Sequence, residues 1–181
     1  MFVSEELRNS NISEYLLYMW QVEDMIRAAS LDADRLYETV IRASGRSESD
    51  SRAWKQWYSD MADMMRIEGK TEKGHLQINE NVLVMLQDLH LRLLDSHKQP
   101  RYTDAYYKAL PFIVEFRAKN GETGNEELRD CFNMLYGVLM LKLQNRPISA
   151  STAQAVAAVS AFIGLLSALY KEDKAGTLDL D

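Results

Sequence analysis

The segment from Gly74 to His97 constrains the fold more than any other part of the chain, because its helical periodicity runs without interruption. It reads GHLQINENVLVMLQDLHLRLLDSH, and a helix turns by about 100° per residue. This spacing places six apolar residues on one stripe: Ile78, Val82, Met85, Leu86, Leu89 and Leu93. Four polar residues fall on or beside the same stripe: His75, Asn79, His90 and His97. The sequence therefore predicts a long amphipathic helix whose buried face contains polar groups.

The rest of the chain is also helical in its periodicity, and no alternating run is long enough to predict a strand. With 181 residues, of which 46% are hydrophobic and 27% charged, the chain is long enough for one buried core and short for two domains. We expect a single all-α domain over residues 1–181, a bundle of about six or seven helices. Residues 44–51 have the composition of a flexible loop, and residues 171–181 that of a loose tail.

The predicted helix boundaries follow from capping residues and from glycine and proline. One helix, Tyr102–Lys119, contains a proline in its middle, Pro111. Proline lacks an amide hydrogen, and its ring clashes with the carbonyl one turn earlier, so we expect this helix to be kinked or broken there. The other predicted helices begin and end near 11–29, 32–43, 52–68, 126–145 and, after a cap at Ser149 or Ser151, in the last segment.

Charge and cysteine content narrow the classes of partner and the compartment. The net charge of −6 disfavours binding to nucleic acid, since no dense cluster of Lys and Arg offsets it. The single cysteine, Cys131, suits a reducing compartment. The N-terminal sequence has no signal-peptide pattern. Ala155–Tyr170 offers 16 uncharged residues, whereas a bilayer crossing needs about 20. We expect a soluble cytoplasmic protein without membrane or nucleic-acid partners.

Three segments resemble a known family. They are EYLLYMWQVEDMIRA, GHLQINENVLVMLQDLHLRLL and YYKALPFIVEFRAKNG, at residues 14–28, 74–94 and 106–121. They are similar to an uncharacterised bacterial family of about this length, a domain of unknown function, and the resemblance extends over nearly the whole chain. It implies an all-helical fold and a bacterial cytoplasmic source. It implies no catalytic residues, because the family has no assigned activity.

No metal site is predicted, although histidines and carboxylates occur on the predicted helices. Di-metal sites in helical bundles use Glu-x-x-His pairs from two helices, and the only such pair here is Glu72 with His75. On one straight helix His75 and His90 would lie about 22 Å apart, at about 1.5 Å per residue. Metal ligands lie about 2 Å from the ion, so these histidines cannot bind one ion together. We expect no metal and no other cofactor.

No motif indicates nucleophilic catalysis. Cys131 lies on an apolar stripe between Leu128 and Leu135, which predicts a buried and unreactive thiol. The chain contains no glycine-rich phosphate loop and no Gly-x-Ser-x-Gly motif. We therefore assign no catalytic residues and favour a protein that is not an enzyme.

Polar side chains on apolar helix faces are the unusual feature of this sequence. Glu23, for example, follows Leu16 by seven residues, which places the two within about 20° of each other on a helix. An unpaired charge in an apolar interior is strongly unfavourable, so each such group must pair, reach water or become neutral. The candidates for a polar core or pocket are Glu23, Arg27, His75, Asn79, His90 and Arg117.

Two kinds of function are compatible with these residues. In the first, which we favour, the protein is a non-enzymatic interaction or structural protein that forms a homo-oligomer, most simply a dimer. In the second, it binds a small molecule or acts as an enzyme through a pocket formed by Glu23, His75 and Asn79. The first kind of function is suggested by apolar or small residues that point away from the predicted core. They predict an oligomer seam at Val84 and Leu91, or at Ala157 and Gly164 on the small-residue face of the last helix.

Overall fold

The computed structural model describes residues 3–41, 48–120 and 126–180 of the chain. Within these ranges it contains eight α-helices and a five-residue π-helical segment, Tyr37–Ile41. The α-helices are Val3–Ser10 (α1), Ile12–Ala28 (α2), Ala33–Leu36 (α3), Glu48–Ile67 (α4), Gln77–Ser96 (α5), Pro100–Asn120 (α6), Glu127–Leu143 (α7) and Ala150–Lys174 (α8). The described residues form no strand, so the all-α prediction is confirmed, with slightly more helices than expected.

The chain divides into two compact units. The larger unit comprises Met1–Leu17 and Val82–Asp181, and the smaller unit comprises Tyr18–Asn81. Two helices, α2 and α5, contribute residues to both. The single domain over residues 1–181 stays a prediction.

In the larger unit, α6, α7 and α8 pack against one another. Their buried faces repeat every three or four residues, as on α8, where Val159, Phe162, Ile163 and Leu166 are buried. Local capping positions the helix ends. Ser149 caps α8 by accepting a hydrogen bond from the Thr152 amide, as the sequence predicts. The Asn11 side chain likewise accepts from the first amides of α2.

In the smaller unit, α3 and the π-helical segment pack against α4. Asp32 caps α3 by accepting hydrogen bonds from the amides of Asp34 and Arg35. The inner face of α4 carries aromatic and methionine side chains, of which Trp54, Tyr58, Met61 and Met65 are buried. These side chains form part of the core of this unit.

The central helix begins later than the sequence predicts. It starts at Gln77 rather than Gly74, so His75 lies in the preceding loop. Gly74 has a φ of +82°, a left-handed conformation that ends any helical path there. The buried face of α5 is also rotated from the predicted stripe, since Ile78 and Met85 are exposed while Asn79 and His90 are buried.

Of the kink or break expected at Pro111, the break does not occur, because α6 runs through this residue from Pro100 to Asn120. The kink stays a prediction. Pro111 cannot donate to the carbonyl of Tyr107, one turn earlier. Both residues are exposed, so water can satisfy that carbonyl. Ala109 and Ile113 on the opposite side of the helix stay packed in the core.

Two predicted segment boundaries also need correction, and one helix was missed. Residues 48–51 form the first turn of α4 instead of a loop, while residues 44–47 lie outside the described ranges. Acidic and serine residues are as favourable in a first helical turn as in a loop, so composition could not separate the two. At the other end, α8 continues to Lys174, so residues 171–174 belong to the helix and not to a tail. The helix α1 was not predicted at all.

The length of α8 bears on the membrane question. Its 25 residues make it, among the described helices, the one long and apolar enough to cross a bilayer by length and composition. The uncharged run is longer than the segment singled out in the sequence, since no charged residue occurs between Arg146 and Lys171. Core helices of soluble proteins pass the same test, so this finding alone assigns no membrane.

Replacing Pro111 by alanine should stabilise the protein. The Pro111→Ala variant restores an amide donor to the carbonyl of Tyr107 at an exposed site, and alanine is the best helix former. We expect the free energy of unfolding to rise by about 1–3 kcal/mol, the gain being reduced by the greater freedom of the unfolded chain. Urea denaturation measures the change. An exposed helix position without a proline, Ala118→Gly, is the control, and it should lower stability. A Pro111→Ala variant no more stable than the parent would contradict this account.

Candidate functional site

A single carboxylate lies at the centre of the polar groups in the smaller unit. Glu23, on α2, is 0% exposed. Its position on the buried face of α2 was predicted from its spacing to Leu16. Two of the other candidates, His75 and Asn79, contact this carboxylate directly, and Arg27 lies at ion-pair distance.

One oxygen of Glu23 holds the beginning of α5. Oε1 accepts a hydrogen bond from the Leu76 amide at 2.9 Å and from the Asn79 side-chain amide at 2.7 Å. The first amides of a helix have no partner within it. A carboxylate at this end is favourable because the helix dipole is positive there. The Glu68 carboxylate does the same for the next amide, that of Gln77, at 2.7 Å.

The second oxygen of Glu23 holds the loop before α5. Oε2 lies 2.6 Å from Nδ1 of His75, and the ring of His75 stacks on Trp20 with centroids 4.0 Å apart. Trp20 lies three residues before Glu23 and so on the same side of α2. The His75 side chain is 21% exposed, so this ring connects the buried carboxylate to the surface.

Arg27 completes the group from the next turn of α2. Its Nη2 lies 4.0 Å from Oε2 of Glu23, and its Nη1 donates to Asp24 at 2.8 Å. The same guanidinium donates to the backbone carbonyls of Lys70 and Gly74. Arg27 therefore binds the loop that carries His75 by its main chain as well as by charge.

The polar groups around Glu23 form an internal hydrogen-bonded network. Each oxygen of Glu23 meets at least one protein group at hydrogen-bond distance, and the carboxylate makes three such contacts in all. Paired and hydrogen-bonded in this way, a buried carboxylate can stay in the core without water. The carboxylate orients the imidazole, as in an acid–base pair, but no groove described below includes either residue.

His90 and Arg117 do not join this group, because both belong to the larger unit. His90 is buried, with Nδ1 2.7 Å from the hydroxyl of Tyr102 and its ring edge-on to Tyr106 and Phe162. Burial lowers the pKa of His90, and the charge of Glu127 opposes that shift. His90 is thus a core histidine that is kept neutral by its surroundings.

Arg117 has a carboxylate partner that the sequence did not indicate. Its Nη2 lies 2.6 Å and its Nε 2.7 Å from Oδ2 of Asp130, which is buried on α7. The neighbouring Cys131 is fully buried, and burial raises the pKa of its thiol, so the thiol stays protonated and unreactive. The expectation of a buried Cys131 is confirmed.

The outer face of α8 is the second feature of interest. Only 28% of its most apolar stretch is buried. The exposed face consists of small uncharged residues, here called the α8 small face: Ala153, Ala157, Ser160, Ala161, Gly164 and Ala168. A side-chain carbon built on Gly164 would meet no atom within 4 Å. Both Ala157 and Gly164 of the predicted seam lie on this face.

Two open grooves border the α8 small face in the larger unit. The groove towards α6, of about 330 Å³, includes Ala158 and Leu165 of α8. The groove towards α7 and the start of α2, of about 320 Å³, includes Ser160, Ile163 and Gly164. A row of small residues between two grooves is a surface onto which another helix can pack by ridges and grooves.

Ser13 is a polar residue in the second groove that sequence reasoning missed. It is 5% exposed, and its Oγ is one of the buried side-chain atoms for which the described residues provide no hydrogen-bond partner. Its amide, by contrast, donates hydrogen bonds to the Asn11 side chain and to the hydroxyl of Ser167. No local sequence signal distinguishes Ser13 from a capping serine. Only the packing of the helices shows that its hydroxyl lacks a hydrogen-bond partner among the described residues.

The predicted seam positions on α5 lie at the surface. On α5, Val84 is 65% and Leu91 58% exposed, as their position on the helix predicts. Among the described residues, no group of three or more His, Cys, Asp or Glu side chains could hold a metal ion.

Comparison with known proteins identifies a family for this sequence. The model of the family described as Domain of unknown function (DUF4924) matches residues 1–177. The chain therefore belongs to this family, as its resemblance in three segments implied. No curated protein and no solved structure matches the chain.

Removing the Glu23 carboxylate should strongly destabilise the protein. Glu23→Ala leaves the Leu76 amide and the side chains of His75 and Asn79 without their acceptor, and a loss of about 3–5 kcal/mol is expected. Glu23→Gln should cost less, because the amide keeps the shape and one acceptor. The control is Glu115→Ala, which removes an exposed ion pair with Lys119 and should cost about 0.5 kcal/mol or less. Guanidinium denaturation of the parent and the three variants measures these losses in the free energy of unfolding. Equal midpoints for Glu23→Ala and the parent would show that the network contributes nothing.

Acid should destabilise the protein through His90. Because the folded pKa of His90 is lowered, the unfolded chain binds this proton first as the pH falls. The contribution of neutral His90 to the free energy of unfolding is complete above the unfolded pKa of about 6.5 and is lost as the pH falls below it. Between about pH 7 and pH 5, stability should therefore decrease less steeply for His90→Gln than for the parent.

Urea denaturation across this pH range measures that slope. The exposed His97 provides a matched control, since His97→Gln removes an imidazole outside the core. A His90→Gln variant with the same slope as the parent would show that His90 does not control the acid response.

Proposed function

We propose that this member of the family acts as a non-enzymatic helical interaction protein that self-associates through the α8 small face. The single observation that carries the proposal is a 25-residue helix whose apolar outer side is left uncovered by the residues that the structure describes. An outer helix face ordinarily carries charged residues. Here the face is uncharged over its length, which favours contact with protein over contact with water.

A second copy of the chain is the partner that this face fits best. Small residues on both sides let two helix backbones approach closely, and a two-fold axis brings the same small face of each copy together. The flanking grooves can then receive the larger side chains of the partner. One continuous seam of this kind allows both Ala157 and Gly164 to be buried twice in the dimer.

The charges at the edges of the face agree with a contact between identical copies. The groove towards α6 carries Arg101, Asp104 and Lys108, of which the last two form an ion pair at 2.6 Å. The groove towards α7 carries Glu14 and Lys142. Each edge has both signs of charge, so two copies can face each other without like-charge repulsion, although the whole protein is acidic.

The orphan hydroxyl of Ser13 supports an occupant in the second groove. A buried hydroxyl without a partner is destabilising by about 1–3 kcal/mol. A polar group from a second copy, seated beside Gly164, would supply the missing hydrogen bond. This observation is independent of the apolar character of α8.

We place the seam on α8 rather than on the exposed residues of α5. Val84 and Leu91 stand apart from each other, and between them lies the charged Asp88. The adjacent Arg92 forms ion pairs with Asp88 and with Asp173 of α8. Scattered apolar residues among charges are ordinary protein surface.

The alternative function, a small-molecule site or enzyme at Glu23, His75 and Asn79, has less support. A binding site needs polar groups that are free to meet a ligand. The Glu23 carboxylate instead uses both oxygens within the protein. The function assigned to this group is therefore to hold α5 and its preceding loop on α2.

We also propose a bacterial cytoplasmic protein. The bacterial source rests on the resemblance of three segments, and the compartment on the use of one reduced, buried cysteine. The alternative location is a membrane, for which the length and composition of α8 are the motivation. The experiment below separates the two.

Gly164→Glu should convert the dimer to a monomer. Light scattering should give the parent twice the protomer mass of 20.8 kDa, and the variant the protomer mass. Because nothing lies within 4 Å of the added carbon, the substitution should leave the protomer folded, which circular dichroism can check. The two-fold axis places two glutamates in each seam, so the effect is doubled.

Leu91→Glu is the matched control. It adds the same charge at an exposed apolar position on α5 and should remain dimeric. A monomer for Leu91→Glu and a dimer for Gly164→Glu would move the seam to α5. A parent that is monomeric at high concentration would end the proposal. A parent that sediments with membranes and needs detergent to stay in solution would assign α8 to a bilayer.

A further inference from the structure

A cleft in the larger unit brings together basic side chains from the ends of two helices. It has a volume of about 270 Å³ and lies where the last turn of α1 meets the last turn of α8. The polar residues that line it are Arg8, Asn9, Ser10, Ser167, Tyr170, Lys171 and Lys174. Among the residues that the structure describes, no Asp or Glu lines this cleft.

The three cations of the cleft differ from most basic residues of the larger unit. Elsewhere in that unit, Arg117 and Lys119 each contact a carboxylate at 2.6 Å. Within the described ranges, no carboxylate lies within ion-pair distance of Arg8, Lys171 or Lys174. In a protein with a net charge of −6, a cleft with three cations and no anion is an uneven distribution of charge.

Two acidic residues of α8, Glu172 and Asp173, lie between Lys171 and Lys174 in sequence, and neither lines the cleft. Asp173 accepts two hydrogen bonds from Arg92, at 2.9 and 3.0 Å. This two-point contact neutralises Asp173 outside the cleft. The cations beside it are left for another anion.

Hydrogen-bond donors accompany the cations. The guanidinium of Arg8 lies over the ring of Tyr15, 5.6 Å from its centroid, which restricts its position. Burial raises the pKa of Tyr170, so its hydroxyl keeps the proton that it can donate. A guanidinium fork, two ammonium groups and a phenol match the oxygens of a phosphoryl group.

Cations at helix C-termini also have a simpler role, since they stabilise the negative end of the helix dipole. Each residue would then serve its own helix, and a bound anion would add nothing. That role does not require three such residues to line one cleft, nor Asp173 to turn away from it. The two accounts differ in whether an anion binds.

We propose that this cleft binds a phosphate group, with Arg8, Lys171 and Lys174 as its cationic contacts and the Tyr170 hydroxyl as a further donor. The phosphate can belong to a soluble phosphorylated molecule or to a phospholipid headgroup, which share this chemistry. The site is separate from the α8 small face, whose residues do not line the cleft. It therefore does not depend on self-association.

Titration calorimetry with inorganic pyrophosphate tests the soluble ligand. The parent should bind it saturably in a buffer whose ionic strength is matched with sodium chloride. Lys171→Gln combined with Lys174→Gln should weaken binding by about tenfold or more, because two charge-assisted contacts are lost. Arg8→Lys, which keeps the charge but loses the planar fork, should weaken it by a smaller factor.

The matched control is Lys119→Gln combined with Arg146→Gln. Both cations are exposed and line neither the cleft nor the grooves beside the α8 small face, so the double variant has the same change in net charge at other sites. It should bind pyrophosphate as the parent does. Equal losses in the two double variants would show a general effect of charge and overturn the proposal. Circular dichroism confirms that each variant is folded.

A second arm tests the lipid source. Vesicles of phosphatidylcholine with phosphatidylglycerol are sedimented with the parent and with the Lys171→Gln, Lys174→Gln variant, and vesicles of phosphatidylcholine alone give the background. Binding of pyrophosphate assigns the site to soluble phosphates. Binding only to the anionic vesicles, lost in the cleft variant but not in the control, assigns it to a headgroup. If neither probe binds the parent, the cleft has no phosphate site.

Discussion

The carboxylate of Glu23 is the interaction on which the arrangement of the smaller unit depends. A charge that is 0% exposed is tolerable only if donors surround it. The donors come from one short segment, since Leu76, Asn79 and His75 all meet the same carboxylate. Helix α5 therefore begins where Glu23 can reach its first amides, and the preceding loop is held by Arg27. The direction of α5 within this unit follows from a contact with α2, not from a local cap.

The polar groups of this protein fall into two classes with opposite meaning. Several buried polar side chains have found partners, as Glu23, Arg117 and His90 have, and their role is to position helices. Other groups lack the contacts that folding usually provides within the described residues. The buried hydroxyl of Ser13 and the uncharged outer side of α8 are of this kind. Function in a protein without a catalytic motif is best sought among such incomplete contacts, because binding can complete them.

Much of the fold could be predicted from local patterns, and the misplaced boundaries have identifiable causes. Ser149, one of the two residues expected to cap α8, does cap it, because a cap is a contact within a few residues. Of the kink or break expected at Pro111, the break is absent, because the helix can continue through a proline when the lost hydrogen bond faces water. The start of α5 was misplaced because its cap comes from a residue more than 50 positions earlier. No pattern within a single helix contains that information.

The sequence by itself determined the all-α class and the burial of Glu23, since both follow from periodicity along one helix. It also determined that the outer face of α8 carries small uncharged residues. Only the tertiary structure decided which candidates meet. His75 and Asn79 join Glu23, whereas Arg117 pairs with Asp130, a residue that no pattern singled out. The physical reason is that helical spacing specifies the direction of a side chain from its own axis, while its partner depends on how separate helices pack.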